Sequence, residues 1–264
     1  MAPMRGFPAV LVVLSALAVA ACNGGGQPAP TPTATPAPSP TTVPTAEPTA
    51  TPLPAPSPPG PATPGPDGNV FRNGSFEEGR DPWFSLRPPE FTVSSDFAVS
   101  GEHSAKLQMR AKEQDEGTAI FYVIQEVLPE EFPEVISGHY RVTDWVRGTK
   151  LQYLQFAVIA FGAKNLPGDF SNHQIRYILS GIDVEPFAIA NARFVFLSTK
   201  DPPLNEWVPF QVNVKQDFEK LWGDVPEFDK IRVLFEVRYD GKAAGGSPPE
   251  ADAYYDDLFF GPAQ

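Results

Sequence analysis

Residues Ile231 to Tyr239 read IRVLFEVRY: Ile231, Val233, Phe235, Val237 and Tyr239 alternate with Arg232, Leu234, Glu236 and Arg238. Successive side chains of an extended chain point to opposite faces, so a period of two makes this stretch a strand with one buried and one wetted face. Such a strand must bury its apolar side against a second layer, and that need limits the folds open to the chain. The alternation recurs at Val208–Val214. Further short apolar runs, separated by Gly, Pro and Asp, lie at Ser104–Arg110, Thr118–Val127, Val135–Val146, Leu151–Phe161, Gln174–Leu179, Ala192–Leu197 and Tyr254–Phe260. Many short strands with turn signals between them indicate an all-β sandwich or barrel. One stretch departs from the pattern. In VKQDFEKLW, Val214, Phe218, Leu221 and Trp222 fall at helical spacing and Gly223 follows as a stop, which predicts one short amphipathic helix. The expected architecture is a two-sheet antiparallel sandwich.

This pattern begins only at Asn69. Asn23–Gly68 holds 16 of the chain's 32 prolines, in repeated Thr-Pro and Ala-Pro steps. Proline fixes φ and removes an amide donor, and with no apolar face to bury the segment is expected to stay extended and disordered. At about 3.1 Å per residue its limit is ~140 Å, and a flexible coil would average ~40 Å. Before it lie Arg5 and an apolar run from Phe7 to Ala21. That run falls short of the about 20 residues that span a bilayer. A basic start, a short apolar core and small residues at its end describe an export signal. A buried N-terminal helix is the alternative, but the segment abuts a Pro-rich tract and would dock poorly.

The run closes on LAVAAC, Leu17 to Cys22, with the chain's single cysteine. Val19-Ala20-Ala21-Cys22 resembles the bacterial lipobox, which implies cleavage before Cys22, a diacylglycerol on its thiol, and residence at the cell membrane or cell surface. The expected domains are a signal peptide over 1–21, a lipidated cysteine and tether over 22–68, and a folded domain over 69–264. With no further cysteine, that domain has no disulfide framework and must hold itself by packing. It carries 19 basic against 30 acidic residues, a net of −11. There is no basic stripe for a nucleic-acid backbone. Acidity also repels anionic headgroups, so membrane contact is expected through the lipid anchor only.

Five segments of the domain carry a resemblance: NVFRNGSFEEGRDPWF (Asn69–Phe84), VSGEHSAKLQM (Val99–Met109), YRVTDWVRG (Tyr140–Gly148), WVPFQVNV (Trp207–Val214) and AYYDDLFFG (Ala253–Gly261). In this order they resemble the galactose-binding-like jelly rolls that include several carbohydrate-binding modules. The resemblance implies a jelly-roll sandwich and, in many members, a structural calcium ion between the first and last strands. The matching positions here are Glu77 and Asp256. On the last strand Asp256 shares a face with Tyr254, Leu258 and Phe260, so it is expected to point inward, where an unpaired carboxylate is costly. Carbonyls of the Ser100–Ser104 turn would complete a calcium site; acceptance of backbone or Arg hydrogen bonds is the alternative. Asn73-Gly74 is expected to form a turn at positive φ. Phe76, Trp83, Trp145 and Trp207 are assigned to packing.

A saccharide site needs an aromatic ring beside polar groups that read hydroxyls. Tyr153 and Gln155 lie opposite in parity to Leu154, Phe156 and Val158, so they are expected to face solvent, with Gln174, Arg176, Arg232 and Glu236 lining the same sheet surface. A wetted sheet face has similar composition. Catalytic signals are absent: His103, His139 and His173 lack metal-ligand spacing, and there is no GxSxG elbow or phosphate loop. The acidic pairs Glu77-Glu78, Glu130-Glu131 and Asp256-Asp257 are what an acidic chain yields, and neighbours on a strand face opposite ways. The leading expectation is a non-catalytic, monomeric carbohydrate-binding lipoprotein with a polysaccharide or glycan ligand. An adhesion or scaffold module for a protein partner and a glycan hydrolase or lyase stand as alternatives. Cys22→Ala is expected to release the domain into the medium or leave an uncleaved precursor; a processed, membrane-bound Cys22→Ala protein in a fractionation blot overturns the anchor.

Overall fold

The computed structural model describes residues 65, 67–111, 118–182, 184, 188–240 and 248–263. The export signal, Cys22 and nearly all of the Pro-rich tract lie outside them. The chain divides into Met1–Pro54, which is outside the described residues, and Ala55–Gln264, which holds every element below. These are β1 (Thr92–Ser94), β2 (Ser104–Arg110), β3 (Ala119–Val127), β4 (Val135–Val146), β5 (Leu151–Phe161), β6 (Asn172–Ser180), β7 (Ala188–Ile189), β8 (Ala192–Phe196), β9 (Trp207–Asn213), α1 (Val214–Trp222), β10 (Lys230–Asp240) and β11 (Glu250–Gly261). All nine expected strands and the helix are present. The additional β1 and β7 are three and two residues long, too short to show a period.

The strands form two sheets, β1-β2-β11-β4-β9 and β3-β10-β5-β6-β8-β7, packed as a jelly-roll sandwich. Every strand pair is antiparallel except β6–β8, which is parallel, so the expected two-sheet antiparallel sandwich is present with one parallel pair. The core lies between the sheets, and β10 is its most connected strand. It pairs with β3 on one side and β5 on the other. Its inward Phe235 is fully buried among the rings of Phe71, Trp83, Phe156, Phe210 and Tyr255, at centroid distances of 5.4 to 6.2 Å.

The segment before β1 closes the sandwich without regular structure. Asn69 accepts from the amides of Phe71 and Phe260 and donates to the Leu258 carbonyl, tying the segment to β11. Gln125 on β3 exchanges two hydrogen bonds with the backbone of Arg72, standing in for a strand neighbour. Asn73 takes φ of 52° and binds the carbonyls of Gly79 and Asp81. Gly74 does not share the positive φ. Its lack of a side chain serves close approach instead, since a Cβ there would stand 2.1 Å from the Leu258 carbonyl oxygen. Phe76 and Trp83 are buried as expected.

In α1, the Asn213 side chain accepts from the Gln216 amide at the N-cap. Gly223 ends the helix in the left-handed region at φ 95°, its N–H bonded to the Glu219 carbonyl. Val214, Phe218 and Trp222 are buried. Phe235→Ala removes the ring that five others surround and is expected to destabilise the domain by about 3–5 kcal/mol; urea unfolding measures it, and a cost below about 1 kcal/mol would contradict this account of the core.

Candidate functional site

The registers decide which side chains share the outer face of the six-stranded sheet. On β5, Leu154, Phe156 and Val158 face the core, so Tyr153, Gln155, Ala157, Ile159 and Phe161 face outward. Opposite them on β10 stand Arg238, Glu236, Leu234, Arg232 and Lys230. On β6, Ile178 lies opposite Gln155, Arg176 opposite Ala157 and Gln174 opposite Ile159. All six expected ligand residues, Tyr153, Gln155, Gln174, Arg176, Arg232 and Glu236, therefore lie on one face.

Their exposure differs from the expectation. Tyr153, Gln155 and Glu236 are 5%, 0% and 2% exposed and do not face solvent. A second apolar cluster of Tyr153, Ile178 and Ile182, with Phe194 and Phe196 packed against it, covers this end of the sheet. Beneath it runs a self-contained polar network. The Tyr153 hydroxyl donates to Asp240 at 2.8 Å, and Arg238 and Thr118 donate to the same carboxylate. Gln155 donates to Glu236 at 2.6 Å, and Arg238 lies 3.6 Å from Glu236. Burial raises the pKa of the Tyr153 hydroxyl well above the usual phenol value. Burial also pushes the Asp240 carboxyl up, but the Arg238 guanidinium together with the Thr118 and Tyr153 hydroxyls outweighs it and the net shift is downward. Gln155 Oε1 is buried with no partner among the described residues.

Gln174, Arg176 and Arg232 are half-buried and lie toward the other end of the face. Arg232 donates to Glu126 of β3, which also holds Lys230 at 3.0 Å. Both cations lie over the Phe161 ring, at 5.3 and 5.2 Å from its centre. Arg176 donates through Nε and Nη2 to Gln174 Oε1, at 3.0 and 2.9 Å. Gln174 Nε2 donates to Asn172 Oδ1, and Asn191 Nδ2 donates to the same oxygen, both at 2.7 Å. The row Asn172–Gln174–Arg176 runs along β6 between Phe161, Ile159 and Ala157 of β5 and Ala192, Phe194 and Phe196 of β8. Asn172 and Asn191 were not among the expected residues. Asn191 arrives through the parallel β6–β8 pairing, which no local pattern encodes. Glu126 was readable, since its parity on β3 is opposite to that of Phe121 and Val123.

Glu77 and Asp256 meet one loop, but through nitrogen. Glu77 Oε1 accepts from the amides of Glu102 and His103 at 2.9 and 2.8 Å, and Oε2 lies 3.1 Å from His103 Nδ1. The His103 side chain, then the His103 and Glu102 amides, hold its carboxyl below the usual range. Asp256 accepts from the amides of Val99 and Asp257 at 2.6 and 2.7 Å. It does not point inward. A register break between Asp256 and Phe259 shifts the alternation, so Leu258 and Phe260 enter the core. Asp256 stays with Tyr254 on the outer side, covered by the loop at Val99. A calcium ion takes oxygen ligands; here Glu77 Oε1 and both Asp256 oxygens accept backbone N–H groups. Among the described residues no three carboxylate, imidazole or thiol groups converge on a metal position. As placed, the pair forms a hydrogen-bonded lock between the N-terminal segment, the Val99–His103 loop and β11.

Trp145 packs half-buried against the core, while Trp207 stands on the outer face of the five-stranded sheet, opposite Arg141. On that face a cavity of about 420 Å³ is lined by Ser137, His139, Pro209, Gln211 and Asp257.

No protein-family model matches the chain, and no curated protein matches it. Solved structures with a similar path include a family 61 carbohydrate-binding module, TmCBM61, in complex with β-1,4-galactotriose (14% identity, TM-score 0.39, 73% of this chain and 97% of that one). A family 16 carbohydrate-binding module shares 18% identity at TM-score 0.39, over 73% of this chain and 99% of its own. The C-terminal family 22 module of Clostridium thermocellum Xyn10B shares 11% at TM-score 0.41, over 75% and 96%.

Burial raises the Asp256 carboxyl to about 6 despite its amide donors. A raised acid is stabilising when protonated, so its contribution is complete below the unfolded value of about 3.9 and is lost as pH rises through the folded one. Wild type is therefore expected to lose melting temperature relative to Asp256→Asn as pH rises from about 4 to 7. Calcium and chelator should give the same melting temperature at neutral pH. A calcium-dependent rise would overturn the reading of this pair as a lock.

Proposed function

We propose that the domain from Asn69 onward is a non-catalytic carbohydrate-binding module, displayed outside the cell on a lipid-anchored Pro/Thr-rich tether. The saccharide lies along the outer face of the six-stranded sheet, on the row Asn172–Gln174–Arg176. The observation that carries this reading is the composition of that row and its borders. Planar amide and guanidinium groups stand half-buried between apolar side chains on both flanks, with the rings of Phe161 and Phe194 at opposite sides. Such a surface offers apolar contact for the C–H face of a pyranose and fixed polar groups for its hydroxyls, the usual division of labour in a ligand site. The amide ladder holds Arg176 in place before any ligand arrives, which limits the ordering cost of binding. The sequence resemblance to carbohydrate-binding jelly rolls supports the same reading. Tyr153, Gln155 and Glu236, buried at the other end of the same face, do not touch the ligand.

A glycan array on the soluble domain is expected to identify a bound polysaccharide. Gln174→Ala or Arg176→Ala should then weaken affinity about tenfold or more, which corresponds to about 1.4 kcal/mol, with an unchanged melting temperature. His139→Ala and Gln211→Ala, on the opposite sheet, should leave affinity unaltered. A protein partner captured without any glycan binding would favour a scaffold role, and product release from a polysaccharide would overturn the non-catalytic assignment.

A further inference from the structure

Four cations project from strands of the candidate face: Arg176, Lys230, Arg232 and Arg238. Three have a carboxylate at ion-pair distance. Lys230 and Arg232 share Glu126, and Arg238 lies between Glu236 and Asp240. Arg176 has none among the described residues. In a chain with 32 acidic and 20 basic residues, a half-buried guanidinium without a carboxylate partner needs an explanation, because burial without a counter-charge is unfavourable.

Its only hydrogen-bond acceptor among the described residues is a neutral amide oxygen. Gln174 Oε1 takes both Nε and Nη2, and Gln174 is itself held by Asn172, which Asn191 holds in turn. The ladder orients the guanidinium and does not neutralise it. It occupies one edge of the planar group and leaves the edge formed by Nη1 and Nη2 without an acceptor among the described residues. Two parallel N–H groups on one guanidinium edge match the two oxygens of a carboxylate. The neighbours across the sheet, Ala157 on β5 and Phe194 on β8, bring no competing charge.

We infer that the saccharide received on this face carries a carboxylate, as a uronic acid does, and that Arg176 binds it through the free edge of its guanidinium. This rests on the carbohydrate-binding reading above and adds the ligand's charge and the residue that recognises it. Calorimetry on the soluble domain with galacturonate, glucuronate and mannuronate oligomers, their methyl esters, a neutral β-1,4-galactan and a sulfated galactan tests it. At least one uronate oligomer is expected to bind at least tenfold more tightly than its own methyl ester. Arg176→Gln should bring that ratio to within about twofold while the melting temperature stays put. Arg176→Lys, which keeps charge but loses the fork, should retain only part of the ratio. Equal binding of acid and ester, or of wild type and Arg176→Gln, overturns the inference while leaving carbohydrate binding intact. Binding of the sulfated polymer but no uronate overturns the carboxylate. Binding of no glycan at all overturns the carbohydrate reading itself.

Discussion

The alternation along β10 is the constraint on which both the core and the candidate face depend. Phe235 points inward to the meeting point of five other rings, and the next residue, Glu236, points outward into a buried polar network. Between the two, the Tyr255 hydroxyl crosses from the five-stranded sheet and donates to the Glu236 carbonyl at 2.8 Å. A slip of one residue would drive Arg232, Glu236 and Arg238 into the apolar core and is excluded by the cost of burying them there. Because β10 is paired on both sides, its register is passed to β3 and β5. Through β5 it reaches β6, where Gln174 and Arg176 stand.

That inheritance explains what the residues alone made legible. The strands were readable because one face of each is buried, and the helix because four apolar residues fall on one side of it. Placement of the six expected ligand residues on one face followed from parity. Exposure did not follow, because it depends on what covers a face. Tyr153 is covered by Ile178, Ile182, Phe194 and Phe196, which come from elements after it in the chain. Parity itself failed on β11. A register break after Asp256 inserts an irregularity with Asp257 at φ 50°, and a bulge reverses every facing assignment beyond it. No apolar pattern announced it.

The lock at the strand ends shows how similar motifs can do different physical work. Anionic side chains can cap a loop by accepting its N–H groups, as at a helix N-terminus, or they can gather carbonyl oxygens around a cation. At Glu77 the loop presents amides, and Gly101, in the left-handed region at φ 65°, lets the carboxylate lie where a Cβ would collide with it at 2.5 Å. Spacing along the chain is the same in both cases; only the direction of the loop's peptide groups separates them, and that is set by φ and ψ and not by residue type.

A strongly acidic domain that binds an acidic saccharide poses an apparent conflict, and distance resolves it. The net charge of the whole chain is −12, but fields from exposed charges fall off within about 8 Å at physiological salt. A ligand carboxylate at Arg176 therefore responds chiefly to its immediate neighbours, which are apolar or neutral amides. The carboxylates nearest on the sheet are already paired: Glu126 holds two cations, and Arg238 lies between Glu236 and Asp240. The long-range field then slows approach at low salt, while the short-range contact determines which saccharide is held, so the two charges act on different steps and do not cancel.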